Sequence, residues 1–298
     1  MMENQNNRFS SRFTFLLSAL GIAVGTGNIW RFPRIVASNA GDDGAGAFLV
    51  AWITFLFLWS IPLIIVEYIM GRQSRMGTIG AFSNFMGKPF AFLGGFVGVV
   101  STAIAFFYSV IVGWNIYYFG AIIFTDLPQN NDASWALWSS FQNSSFPIIF
   151  HAIAMTVGGL AIYKGVSSIE KVNKILIPVL LGIVLLSLFR AVSLPGSFDG
   201  IAYLFTPDWS QLRRPGIWVD ALAQNAFDTG AGFGLFLTYA IYIRKKYGIV
   251  KNAFTTAIGN NLVSLIAAIM IFSTVFSCLL YTSPSPRDVE ESRMPSSA

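Results

Sequence analysis

The sequence predicts an all-α polytopic membrane protein, and three observations carry that prediction. Hydrophobic residues fill 54% of the 298 positions and charged residues only 11%, against roughly a quarter in a soluble domain. The apolar residues are gathered into long runs, among them 45–70, 90–124, 175–192 and 262–280. About 20 such residues cross a bilayer core of ~30 Å. The cations, finally, collect in alternate loops.

Taken in order, helices are expected near 13–36, 46–70, 90–124, 146–164, 171–192, 217–243 and 251–280. Arg8 and Arg12 precede the first. Arg72, Arg75 and Lys88 follow the second, Lys164, Lys171 and Lys174 the fourth, and Arg244, Lys245, Lys246 and Lys251 the sixth. The other loops hold Asp42, Asp43, Asp126, Asp132, Asp199 and Asp208, with Arg213 and Arg214 against the trend. Cation-rich loops stay in the cytoplasm, which puts the N-terminus inside and gives seven spans. The net charge of +5 is thereby explained without a nucleic-acid partner. The first span runs into Trp30-Arg31-Phe32-Pro33 without the polar relief of a cleavable signal peptide. One cysteine, Cys278, excludes a disulfide framework. His151, the lone histidine, reads as a polar residue at the start of the fourth span rather than a metal ligand or proton relay.

Two helices are unusual. The first carries Gly21, Gly25 and Gly27 around Asn28, and the sixth carries Gly230, Gly232 and Gly234 after Asp228. Glycine weakens a helix interior, and an open backbone at membrane depth is tolerated only where protein buries it or a cavity is lined. Two glycine-interrupted spans five helices apart fit corresponding helices of two repeats that unwind at one site. Close packing through small residues would explain the glycines but not Asn28 and Asp228 beside them. Ionisable groups at this depth are functional by default, and three qualify: Asp228, Glu67 and Arg31. For Glu67 two roles stay open, accepting hydrogen bonds from amides freed in a neighbouring helix or snorkelling as a solvated carboxylate. Arg31, just outward of the first break, suits an outer gate. The stretch 278–298 is Pro/Ser-rich and resembles the conceptual translation of a library adapter, so it is expected to be a non-native tail.

GIAVGTGNIWRFP (21–33), GAFLVAWITFLFLWSIPLIIVEYIMGR (46–72), YLFTPDWSQLRRPGIWVDA (203–221) and QNAFDTGAGFGLFLTYAIYIRK (224–245) resemble the neurotransmitter:sodium symporter family, of leucine-transporter fold. The resemblance runs over about 8–277. It implies an inverted repeat with helices 1 and 6 broken: a cytoplasmic segment 1–12, a first five-helix repeat 13–192, an extracellular loop 193–216, and two helices of a second repeat in 217–277. The remaining helices would lie beyond this chain. By the same resemblance sodium is the coupling ion, with no other cofactor. Its first site would use Ala23, Asn28, Asp228 and Asn260, and its second the carbonyls of Gly21 and Val24. All-oxygen sets suit a hard cation.

The resemblance further implies that a substrate carboxylate meets the first sodium, the amides of Gly25 and Gly27, and the Tyr108 hydroxyl. Monoamine carriers have an acid where Gly25 stands, so glycine favours an amino acid. Thr26, Ile104, Phe227, Gly230 and Phe233, with Ala23 and Asp228, would complete an apolar lining for a neutral side chain; Phe227 and Phe233 also read as ordinary core aromatics. Arg31, Tyr108 and Phe227 would form the gate. Trp52, Gln224, Asp228 and Ser264 occupy the region where chloride users hold their anion. The Asp228 carboxylate replaces the usual Ser or Thr, and chloride-independent transport is expected. The expected carrier sits in a bacterial inner membrane, with a homodimer among the assemblies it allows. A membrane enzyme lacks its constellation here; a channel or sensor on the same scaffold, or an inactive fragment, are the other readings.

Overall fold

A computed structural model of the chain describes residues 8–25, 27–126, 128 and 130–282. The described residues are almost wholly helical. Helix α1 (Arg12–Ala23) is followed by a π-helical turn, Gly27–Arg31, and by α2 (Phe32–Ser38), whose Pro33 sits in the first turn where no amide bond is lost. Next come α3 (Gly46–Phe55), a second π-turn (Leu56–Ser60), α4 (Ile61–Ser74) and α5 (Thr78–Met86). Helices α6 (Ala91–Phe124), α7 (Asn131–Gln142), α8 (Phe146–Ile162) and α9 (Val166–Val192) lead to α10 (Ser197–Phe205). That short helix falls within the expected outer loop. The remaining elements are α11 (Pro215–Thr229), α12 (Leu235–Ala240) and α13 (Ile249–Thr282), the last running past Cys278.

Four helical stretches are long and apolar enough to cross a membrane: Gly46–Ser74, Lys88–Phe124, Val166–Val192 and Ile249–Cys278. Two bent pairs raise this to six, α1 with Gly27–Ser38 and α7 with α8, the second bent by 70°. The sixth expected span is divided into α11 and α12, of 15 and 6 residues, each too short alone. Its interruption at 230–234 has Gly230, Gly232 and Gly234 all at positive φ, which only glycine adopts readily.

The chain forms two compact units. The first comprises Met1–Ser18, Val66–Ile175 and Gly232–Ile249. A line of aromatic contacts runs through it, Tyr239–Phe9–Phe15–Tyr68–Phe236, with centroids 5.3–5.9 Å apart. Helix α6 packs so closely on α8 that a Cβ at Gly113 would lie 2.8 Å from the His151 amide. Its outer face, including Phe92, Phe96, Phe106 and Phe107, is exposed, as suits a hydrocarbon surrounding. The second unit comprises Ala19–Ile65, Leu176–Ala231 and Val250–Ala298. Its core gathers Phe32, Phe48, Trp52, Leu204, Ile217 and Phe272, and Trp52 lies over Phe32 at 4.4 Å.

Candidate functional site

In the second unit the helical ladder of α1 closes with Val24 N–H on the Leu20 carbonyl at 2.7 Å, because the amide after it finds another partner. Gly25 N–H, which would continue the helix onto Gly21, donates instead to Asn28 Oδ1 at 2.8 Å. The last carbonyls of α1, Gly21 among them, are thereby released from the helical ladder. Helix α11 stops in the same way: Gly230 takes a left-handed conformation (φ 66°) and leaves the Asp228 carbonyl past the last helical bond. Both carbonyl ends converge on Asn260. The Asn260 carboxamide terminus that faces Asn28 lies 3.2 Å from the Ala23 oxygen and 3.3 Å from the Asp228 oxygen. With its nitrogen there, Asn260 would donate to both. With its oxygen there, it accepts from Asn28 Nδ2 at 2.9 Å and three oxygens converge with no hydrogen between them. A hard cation satisfies such a cluster, and the negative ends of two helices add to its attraction. The residues present therefore fit sodium.

The Asp228 carboxylate sits beside this cluster, 1% exposed. Its Oδ1 accepts from Gln224 Nε2 at 2.6 Å and its Oδ2 from Ser264 Oγ at 3.1 Å. Asn28 Nδ2 donates to the same Ser264 oxygen at 2.8 Å. Gly27 is small for a reason: a Cβ there would lie 2.9 Å from Asp228 Oδ1. On the other side of Gln224, its Oε1 accepts from Arg31 Nη1, and the Arg31 guanidinium lies 4.6 Å from the Phe227 ring centre, a cation–π contact. One chain of hydrogen bonds thus runs from Arg31 through Gln224, Asp228 and Ser264 to Asn28.

The structure brings together, within this unit, Ala23, Gly25, Gly27, Asn28, Arg31, Gln224, Phe227, Asp228, Asn260 and Ser264. Gly21 and Val24 lie at the end of α1 in the same unit, and Gly230 ends α11. Trp52 is buried, but its indole N–H makes no hydrogen bond to Asp228 or Ser264. Thr26 lies outside the described residues, as does the tail beyond 282. Ile104, Tyr108 and Phe233 belong to the first unit, the first two on α6.

One feature escaped the sequence reading. Asn225 Nδ2 donates to the Trp52 carbonyl at 2.8 Å, while Ser60 bonds Asn225 and Thr229 at 3.3 Å each. This network ties α11 to the π-turn of residues 56–60; Ser60 before Pro62 in an otherwise apolar run was its sequence signal. In the first unit, Glu67 takes the first of its two roles: Oε1 accepts from Gly232 N–H at 2.6 Å and Oε2 from Leu237 N–H at 3.0 Å.

A family model for sodium:neurotransmitter symporters matches residues 6–145 and 140–283. The chain belongs to this family. It is a multi-pass membrane protein, and the family's members are sodium-coupled transporters rather than enzymes. Among its relatives, a sodium-dependent transporter of Methanocaldococcus jannaschii is 32% identical over 295 residues, 95% of this chain and 58% of that protein. The sodium-dependent neutral amino acid transporter B(0)AT3 of Rattus norvegicus is 30% identical over 91% of this chain and 48% of its own length. The crystal structure of MhsT in complex with L-phenylalanine matches with a TM-score of 0.80 at 33% identity, over 91% of this chain and 62% of MhsT. The leucine-transporter-type fold expected from the first-helix motif is therefore the fold of this family member. The chain spans about half to three-fifths of the length of these relatives.

Proposed function

We propose that the chain is the ion- and carboxylate-binding part of a sodium-coupled symporter of neutral amino acids, with transport independent of chloride. The observation that carries this reading is the buried Asp228 carboxylate beside the converging Ala23, Asp228 and Asn260 oxygens. Sodium would sit among those oxygens, with Asn28 at the edge of the set. An incoming carboxylate would meet the ion and the Gly27 amide, and would compete with Asn28 Oδ1 for the Gly25 amide, at the start of the turn after the break. Glycine at position 25 leaves room for that carboxylate: nothing lies within 4 Å of a Cβ built there. Relatives that carry neutral amino acids, and MhsT with L-phenylalanine, support the substrate class.

Sodium in a low-dielectric site needs a nearby negative charge, and a fixed carboxylate supplies it where other carriers borrow an anion. The test is uptake in proteoliposomes by a full-length carrier bearing these residues, with chloride replaced by gluconate. Native uptake of phenylalanine or leucine should be indifferent to the exchange. Asp228→Asn should lose uptake or recover it only with chloride. An Asp228→Asn carrier with undiminished, chloride-indifferent uptake contradicts the reading.

A further inference from the structure

Helix α11 reaches its break with two polar pairs, Gln224 with Asp228 and Asn225 with Thr229, each spaced i, i+4. The first pair belongs to the ion site. The second lies about 100° further round the helix and meets the π-turn of residues 56–60 instead. Asn225, Thr229 and Ser60 are fully buried, which is costly for polar groups unless each is hydrogen-bonded. Here they are. Asn225 Nδ2 donates to the Trp52 carbonyl at 2.8 Å and to the Ala221 carbonyl at 3.2 Å, and its Oδ1 accepts from Ser60 Oγ at 3.3 Å. Thr229 Oγ1 lies 2.7 Å from the Asn225 carbonyl and 3.3 Å from Ser60 Oγ, and it accepts from Ala231 N–H at 3.3 Å.

Apolar side chains would fill the same space without that cost, but contact between them is non-directional. Hydrogen bonds are directional, and these set both the rotation and the height of α11 against the π-turn. Both quantities matter at the ion site. Asp228 stands between Asn225 and Thr229 in the chain and brings two oxygens to that site: its carbonyl, 3.3 Å from the Asn260 carboxamide, and its buried carboxylate. A rotation of about 20° would carry an oxygen ~6 Å from the helix axis through about 2 Å. Thr229 also reaches across the break, since its hydroxyl receives the first amide beyond Gly230. Discrimination between cations of one charge depends on how firmly the oxygens keep their spacing. Lithium, the smaller ion, needs a tighter cluster, which a rigid sodium-sized one denies it.

We propose that Asn225, Ser60 and Thr229 are positioning residues for ion selection: by fixing the turn that ends α11, they hold the Asp228 oxygens at the spacing that favours sodium over lithium. This rests on the sodium-symporter reading above. Thr229→Val keeps the volume and removes the hydroxyl. In a full-length carrier bearing these residues, half-saturating sodium for ²²Na⁺ binding should rise about five-fold, the factor that a net hydrogen bond of ~1 kcal/mol represents. Half-saturating lithium, measured by competition, should stay near the native value, so the lithium-to-sodium ratio falls by the same factor. Loss of stability alone would not move that ratio. Ser60→Ala should lower it too, and Thr229→Ser, which keeps the hydroxyl, should restore it. An unchanged ratio in Thr229→Val, or a serine variant as altered as the valine one, overturns the proposal alone. A native carrier that binds no sodium overturns the functional reading as well. If Thr229→Val does not accumulate, Ser60→Ala carries the same test, and an unaltered ratio there refutes the role of the network.

Discussion

Replacing Asp228 by asparagine keeps the shape of the side chain and removes its charge. The carboxylate is 1% exposed and stands next to the oxygens of Ala23, Asn260 and its own main chain, so its field on an ion there is weakly screened. At a separation of about 5 Å and an effective dielectric of ~20, a unit charge attracts a monovalent cation by ~3 kcal/mol. The amide dipole of asparagine keeps part of that attraction, which leaves a loss of ~2 kcal/mol, or roughly 30-fold in sodium affinity. The apo protein moves the other way. Without sodium the native chain buries a carboxylate whose nearest supports are the neutral Gln224 and Ser264, a costly arrangement that asparagine relieves. The purified chain in detergent micelles is therefore expected to melt higher as Asp228→Asn in choline chloride, yet gain less from sodium, with half-saturation shifted roughly 30-fold upward. Sodium titrations of the melting temperature, checked by ²²Na⁺ binding, measure both effects. A variant whose half-saturating sodium stays within a factor of about three of native refutes the electrostatic argument.

Two further outcomes follow from close contacts. Gly27→Ala places a methyl 2.9 Å from Asp228 Oδ1 and must push the carboxylate off Gln224, so sodium half-saturation should rise by about an order of magnitude, with the first unit's amide protection unchanged in hydrogen exchange. Glu67→Gln keeps one acceptor for two backbone amides and turns an NH₂ toward the other; the unsatisfied group costs ~1–3 kcal/mol and should speed exchange at Gly232 or Leu237, whereas unaltered exchange at both would show that the carboxylate is not their partner.

The parts of the site that were legible in the sequence are those where the chemistry contradicts the bilayer. Asn28 among glycines, Asp228 before three glycines and Glu67 in an apolar run each conflict with a lipid surrounding, and conflict is visible without coordinates. The helical character and the position of the breaks were legible for the same reason. What remained hidden depends on distances across the fold. Asn225 is one amide among several until α3 brings the Trp52 carbonyl to it. Helix α10 was read as loop because its nine residues are too few to announce a periodicity, and α7 because Asn131–Gln142 is too polar to pass for a span. The bend between α7 and α8 follows Asn143-Ser144-Ser145 and Pro147, a turn signal the hydropathy reading passed over.

The meeting of α1 and α11 at Asn260 has a mechanical side. Two helix ends of the same partial charge, roughly half an electron each, face one another across a few ångströms. Left to themselves such ends repel, and the bonds from Asn28 to Ser264 and from Ser264 to Asp228 link the two segments against that repulsion. A cation placed between them reverses the sign of that force. With sodium bound as proposed, the joint would be firmer than when empty, so the ion would act on the stiffness of the protein as well as on its charge balance.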